Sequence, residues 1–145
     1  MRALLQRVAR ARVSINDRCV GEIGPGLAVF LGIGKQDDEI KTQRLASKLV
    51  RLRIFDDESG KMNRSLLETG GAVLVVSQFT LYADTEHGLR PSFSDACPPA
   101  RAEVLYQRFI EELRYLGVQV ETGKFGARMM VELVNNGPVT IMLEE

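Results

Sequence analysis

Five small or β-branched apolar residues in a row, Ala72–Val76, constrain this chain more than any other feature. A run this short and this apolar fits a strand buried on both faces, and such strands belong to sheets covered by helices. The run then changes character. Ser77, Gln78 and Thr80 follow, interleaved with Phe79, Leu81 and Tyr82. If the strand continues, alternation puts Ser77, Phe79 and Leu81 on one face and Gln78, Thr80 and Tyr82 on the other. Two readings of the polar set stay open. It faces solvent, or the strand end lies at a cleft and offers hydroxyls and backbone N–H groups to a ligand.

The rest of the chain supplies what such a strand needs. RALLQRV and ARVSIN read as strands, with a turn at NDRC. GPG at 24–26 is a turn signal, because Pro presets φ and Gly26 tolerates φ > 0. LAVFLGI reads as another buried strand. Asp37, Asp38 and Glu39 open a helix running to about Arg51, with Leu45, Leu49 and Leu52 on one side. RIFDDESGKMNRSL is a short strand and a loop, AVLVVSQFTLY the next strand, and ADTEHGLRPSFSDACPP a long loop. A second helix runs from about Pro99 to Leu116, with Ala102, Leu105, Phe109, Leu113 and Leu116 at helical period. VQVETG, ARMMVELVN and PVTIMLE read as three closing strands. At 145 residues, with no linker or repeat, this predicts one mixed α/β domain, residues 1–145, in layers rather than strict βαβ alternation.

Several function classes lose support on composition. Cations and anions balance at 19 each, so nucleic-acid binding requires a local patch rather than a global field. No apolar run is long enough to span a bilayer, and no signal-peptide core follows the N-terminus, which points to the cytosol. Cys19 and Cys97 have no paired spacing, His87 is the single histidine, and no cluster has zinc-like spacing, so no metal or cofactor is expected. The lone histidine also argues against a Ser–His or Cys–His nucleophilic pair. GIGK at 32–35 lacks P-loop spacing and is followed by acidic residues, which makes it a plain turn. Lys41, Arg44, Lys48 and Arg51 form a basic stripe on the first helix. A solvated face is the simpler account, and phosphate tracking the alternative. VNNGPVT at 134–140 reads as an ordinary hairpin, although an X-Pro bond in a tight turn can be cis.

Two of these motifs carry a resemblance when taken together. SQFTLY at 77–82 and NNGPVT at 135–140 resemble the paired signatures of the D-aminoacyl-tRNA deacylases, the D-tyrosyl-tRNA deacylase family. FDDESGKMNRSL at 55–66, GLRPSF at 88–93 and the opening MRALLQRV are similar to that family as well, so the likeness spans essentially the whole chain. The resemblance implies a cytoplasmic homodimer with a three-layer α/β fold. It implies hydrolysis of the ester between a D-amino acid, or glycine, and the terminal adenosine of tRNA, with no cofactor. Ser77, Gln78, Phe79 and Thr80 would line the pocket for the adenosine and the aminoacyl carbonyl. Gly137 and Pro138, within the segment completed by Val139 and Thr140, would form a cis-peptide gate that enters the partner subunit's pocket and rejects L-aminoacyl groups. Arg7 would orient that gate.

Thr80 is the tempting nucleophile, yet no base stands near it in sequence, and an unactivated hydroxyl is weak. The tRNA's own 2′-hydroxyl is the alternative, with backbone N–H groups around Phe79 stabilising an oxyanion. Rivals from other classes are a non-catalytic RNA-binding module resting on the basic stripe, and a metal-dependent hydrolase.

Overall fold

The computed structural model describes all residues, Met1–Glu145. One mixed sheet organises the chain, with strand order β2-β1-β3-β6-β7 and β8 on the other edge of β1. β1 (Arg2–Ile15) is a single strand where two were expected. It turns at Asn16 and Asp17, both at positive φ (48° and 61°), into β2 (Arg18–Ile23). Paired positive φ angles match the right-handed twist of the flanking strands, and Asn and Asp tolerate that region.

β3 (Gly26–Gly32) runs antiparallel to the first half of β1 and parallel to β6 (Ala72–Ser77). The parallel connection is made by α1 (Glu39–Arg51), the hairpin β4 (Phe55–Asp56) and β5 (Met62–Arg64), and a short α2 (Leu66–Thr69). α1 begins where the acidic run ends. Asp38 is its N-cap, with the carboxylate accepting the Lys41 N–H at 2.8 Å. α2 was not foreseen from sequence; a capping box between Ser65 and Glu68 defines it. α3 (Pro99–Tyr115) matches its expected span and is followed by β7 (Val120–Thr122), parallel to β6, and β8 (Met130–Glu144).

Alternation sorts the apolar residues into two cores. Leu27, Val29, Leu31, Val73 and Val75 face α1 and α3, meeting Leu45, Leu49, Phe109 and Leu113. Ala28, Leu74 and Val76 point the other way, onto Val8, Ala11 and Val13 of β1 and Ile23 of β2. β1 changes face along its length. Ala3 and Leu5 belong to the helix-side core, whereas Ala11 and Val13, also odd-numbered, belong to the far-side core. The register shift between Val8 and Arg10, where Ala9 is the extra residue, makes the switch, because a one-residue slip sends every later side chain to the opposite face. The second half of β1, with β2, thereby folds over the sheet as a third layer. No helix is long and apolar enough to cross a membrane.

Tyr106 of α3 joins two layers. Its ring is buried in the helix-side core, and its hydroxyl donates to the Val75 carbonyl at 2.9 Å. Burial pushes its phenol from 10 to about 12. The unfolded chain therefore ionises this group first as pH rises, so stability is full below pH 10 and declines as pH climbs towards about 12. Tyr106→Phe is expected to cost about 1 kcal/mol near neutrality and to flatten that alkaline decline. Urea unfolding at pH 7 and at pH 11 checks both signs.

Candidate active site

β3 and β6 end side by side, with Leu31 opposite Ser77. In open α/β sheets the crevice beyond the carboxyl ends of parallel strands is where ligands bind. A cleft of about 600 Å³ opens there. One wall is Ser77, Gln78 and Phe79; the second is the segment from Phe93 to Ala102, entering α3; the third is Phe125–Ala127 with Met129 and Val131. Most of these side chains are apolar, and the rings of Phe79 and Phe93 meet edge to face at 5.0 Å. Phe79 nonetheless stays 59% exposed, an unusual cost for an aromatic ring unless a flat partner covers it.

The expected strand through Tyr82 is corrected here. β6 stops at Ser77, where the Gln78 N–H makes a last bond to the Leu31 carbonyl at 2.8 Å. A single 3₁₀ turn, Phe79–Tyr82, follows, closed by Leu81 N–H to Gln78 C=O (3.3 Å) and Ala83 N–H to Thr80 C=O (3.0 Å). The alternation argument for Phe79 and Thr80 therefore lapses, because a turn does not alternate. The Phe79 and Thr80 N–H groups precede the first internal bond and have no acceptor within the turn. Thr80 is exposed, lies outside the cleft lining, and accepts a hydrogen bond from the Gln78 side-chain amide. No histidine or carboxylate bonds to it. His87 sits in the exposed loop that follows.

The second motif is not a hairpin. Residues 130–144 form one strand along nearly all of β1, in which Gln6 pairs with Thr140 and Val8 with Asn135. Arg7 alone thus faces Asn136–Val139, a wide bulge. The Arg7 guanidinium is 6% exposed. Nε donates to the Asn136 carbonyl at 3.0 Å, and Nη1 to the Ile54 carbonyl at 2.7 Å and the Asp56 carboxylate at 3.0 Å. Asn135 closes the bulge, donating to the carbonyls of Arg7 (2.9 Å) and Val139 (3.1 Å). Thr140 returns to the ladder and accepts from Gln6 at 3.2 Å.

The expected cis bond at Gly137–Pro138 is also corrected, since no peptide bond in the chain is cis. Gly137 takes φ 124°, and trans is the resting preference of an X–Pro bond by about 0.5–1 kcal/mol. Gly137 and Pro138 are exposed and line no part of this chain's own cleft. The structure therefore keeps the two motifs apart within one chain, while joining Arg7 to the second.

The basic stripe is partly neutralised. Lys41 pairs with Asp37 (3.6 Å), Lys48 with Glu145 (3.1 Å), and Arg51 donates to the Ser47 hydroxyl. None of the stripe lines the cleft. Sequence reasoning missed the second and third cleft walls. The available signals were ACPP ahead of a helix and the small and aromatic residues of KFGA, neither specific enough to name a site.

The family described as D-Tyr-tRNA(Tyr) deacylase matches residues 4–144. Proteins named D-aminoacyl-tRNA deacylase are similar along nearly their whole length. One from Roseiflexus sp. is 60% identical over 99% of this chain and 93% of its own, and one from Symbiobacterium thermophilum is 57% identical over 99% and 95%. The Salmonella newport protein of that name is 55% identical over 99% of both. Among solved structures, one named c-Myc DNA Unwinding Element Binding Protein superposes with a TM-score of 0.94 at 40% identity, covering 100% of this chain and 99% of that one. Another, described as a probable eukaryotic D-amino acid tRNA deacylase, reaches 0.88 over 98% and 97%, and at 20% identity speaks for the fold alone. With a family match running almost end to end and relatives above half identity, this chain belongs to the D-aminoacyl-tRNA deacylase family.

Proposed function

We propose that the protein hydrolyses the ester of D-aminoacyl-tRNA at this cleft, releasing tRNA and the free D-amino acid. One observation carries the reading: Ser77, Gln78 and Phe79 of the SQFT motif, in a chain of this family, form one wall of an apolar cleft at the ends of two parallel strands. An adenine ring suits such a cleft, because exposed aromatic side chains stack bases without a sequence requirement. The ester carbonyl would then lie at the start of the 3₁₀ turn, where the Phe79 and Thr80 N–H groups face developing negative charge. Each such donor typically contributes about 10²–10³ in rate. Thr80 lacks a base, so the adjacent 2′-hydroxyl of the ribose takes the assisting role: water adds to the ester carbonyl, the ester oxygen leaves as the ribose hydroxyl of tRNA, and the D-amino acid departs as its carboxylate. The work would belong to the cytoplasm, where aminoacyl-tRNA is used.

Chiral selection is assigned to main chain. Asn136–Val139 lies outside its own cleft, so it reaches a cleft only in a homodimer of isologous interface. The gate reading rests on the Asn136 carbonyl, held by the Arg7 guanidinium, and the Val139 carbonyl, held by the Asn135 amide, and not on a cis bond. A rigid main-chain wall beside the substrate's α-carbon would clash with an L-substituent while leaving a D side chain in solvent, which is specificity by repulsion. Glycine has no substituent to reject, so glycyl-tRNA would also be cleaved. The DNA-binding name of the 40% relative is that protein's own, and a chain of zero net charge needs a local basic patch for any nucleic acid, tRNA included.

Purified protein incubated in excess EDTA with D-tyrosyl-, L-tyrosyl- and glycyl-tRNA is expected to cleave the first and third and spare the second. Binding without cleavage would favour an RNA-binding module, and loss in EDTA a metal enzyme. Thr80→Ala should keep most of the activity; a loss of about 10⁴ or more, as on removing a true nucleophile, would restore the covalent reading. Gly137→Ala places a Cβ 2.5 Å from the Arg7 guanidinium and strains a positive φ. That strain, about 1–3 kcal/mol, should be relieved by moving the bulge. The D/L rate ratio for one amino acid is then expected to fall roughly tenfold or more.

A further inference from the structure

The 3₁₀ turn has no fully buried residue of its own, so apolar packing holds it only in part, although catalysis on the reading above depends on where its first N–H groups point. Its far end is held by polar contacts instead. Tyr82 is half-buried and donates its hydroxyl to Asp37 Oδ2 at 3.3 Å. Asp37 is only 2% exposed, and the same oxygen accepts the Gly34 N–H at 2.7 Å. Its other oxygen meets the Met1 α-ammonium at 2.6 Å and Lys41 at 3.6 Å. Arg2 lies over the Tyr82 ring, 4.6 Å from its centre. It donates to the Leu81 carbonyl at 2.8 Å and is itself held by Glu144 at 2.8 Å.

Gly34 leaves room for this arrangement. A Cβ there would stand 2.7 Å from the Tyr82 hydroxyl oxygen and 2.8 Å from its ring. GIGK, a plain turn on motif grounds, is thus the seat of the tyrosine. Burial, and then the Asp37 carboxylate, push the Tyr82 phenol well above its ordinary range, so it stays a donor at any working pH.

We propose that Tyr82, Asp37 and Arg2 are positioning residues for the deacylation, fixing the 3₁₀ turn from the end opposite the reacting atoms so that the Phe79 and Thr80 N–H groups face the ester oxygen. The inference rests on the deacylase reading of the same cleft. None of the three side chains lines that cleft, so their effect passes through the turn and leaves substrate binding alone. Displacing catalytic groups by about 1 Å can cost up to roughly 10²-fold in rate.

Tyr82→Phe keeps the ring beneath Arg2 and removes only the bond to Asp37. The expected result on D-tyrosyl-tRNA is a kcat about tenfold lower with KM and melting temperature close to wild type. Amide hydrogen exchange should quicken at Leu81 and Ala83, whose N–H groups close the turn, and stay unchanged in β6. Gly34→Ala, which expels the ring by steric force, is expected to give the same pattern. Unchanged kcat in Tyr82→Phe, a loss carried by KM, or a loss matched by the unfolded fraction overturns the proposal. Should the wild type fail to cleave D-tyrosyl-tRNA, the deacylase reading falls. The exchange measurement then decides the tether by itself, and unchanged exchange at Leu81 and Ala83 refutes it.

Discussion

A buried guanidinium sets the shape of this molecule. Arg7 sits in the middle of β1, almost without solvent, and burying a charge costs several kcal/mol unless hydrogen bonds compensate. Here the compensation is spread over three parts of the chain: the Ile54 carbonyl after α1, the Asp56 carboxylate of the β4–β5 hairpin, and the Asn136 carbonyl of the β8 bulge. Each partner lies far from Arg7 in sequence, so none of these bonds forms until the sheet does. The bulge is the direct result. A regular ladder would leave no backbone carbonyl turned towards the guanidinium, and the extra residues Asn136–Val139 turn one inward. A second irregularity just beyond it, between Val8 and Arg10, lets β1 exchange faces, which creates the far-side core and the third layer. A residue that sequence reading took as an accessory to the gate thus also ties three distant parts of the chain together.

The two long helices were legible because their signals are local. Asp38 at the N-cap, the leucine spacing of α1 and the Pro-Pro entry to α3 lie within a turn or two of what they determine. The strand AVLVV was legible for the same reason. What followed it was not. Phe, Thr and Tyr favour strands, and SQFTLY alternates well enough to pass for one. The turn exists because Gln78 exhausts the last ladder position on Leu31 and because Arg2 and Asp37, far away in sequence, hold its other end. NNGP misled in the same manner. Asn-Gly is a strong hairpin signal, but the tight paired-φ turn was built at Asn16–Asp17 instead, and the glycine of NNGP serves a bulge. Site residues from one contiguous motif could be named from sequence. The walls contributed by Phe93, Cys97 and Phe125 could not, since nothing local says that three separated segments will converge on one strand end.

Charge is distributed to match these tasks. The net charge is zero, yet the buried ionised groups, Arg7 and Asp37, are each surrounded by more than one partner. The exposed helix cations, by contrast, pair singly with neighbouring carboxylates, an arrangement worth little to stability. Strong electrostatics is therefore confined to two places, behind the bulge and behind the 3₁₀ turn, and in each it holds main chain.

That confinement suits the proposed chemistry. An enzyme acting on many D-amino acids gains nothing from a side-chain pocket tuned to one of them, and the cleft beside the turn is apolar and sparsely furnished with hydrogen-bonding groups. Discrimination and rate are then left to backbone N–H and C=O groups, which are the same whatever the substrate side chain. Backbone groups have a weakness: an exposed turn or bulge drifts unless something fixes it, and a drift of about 1 Å removes most of the benefit. Neither segment can be fixed by packing alone, since the turn has no fully buried residue and most of the bulge is exposed. Buried ion-pair partners can do it, because their geometry is narrow and the cost of leaving them unpaired is high. Arg7 behind Asn136 and Asp37 behind Tyr82 are two instances of one solution, in which charge out of reach of the substrate gives main chain the rigidity that recognition by shape demands.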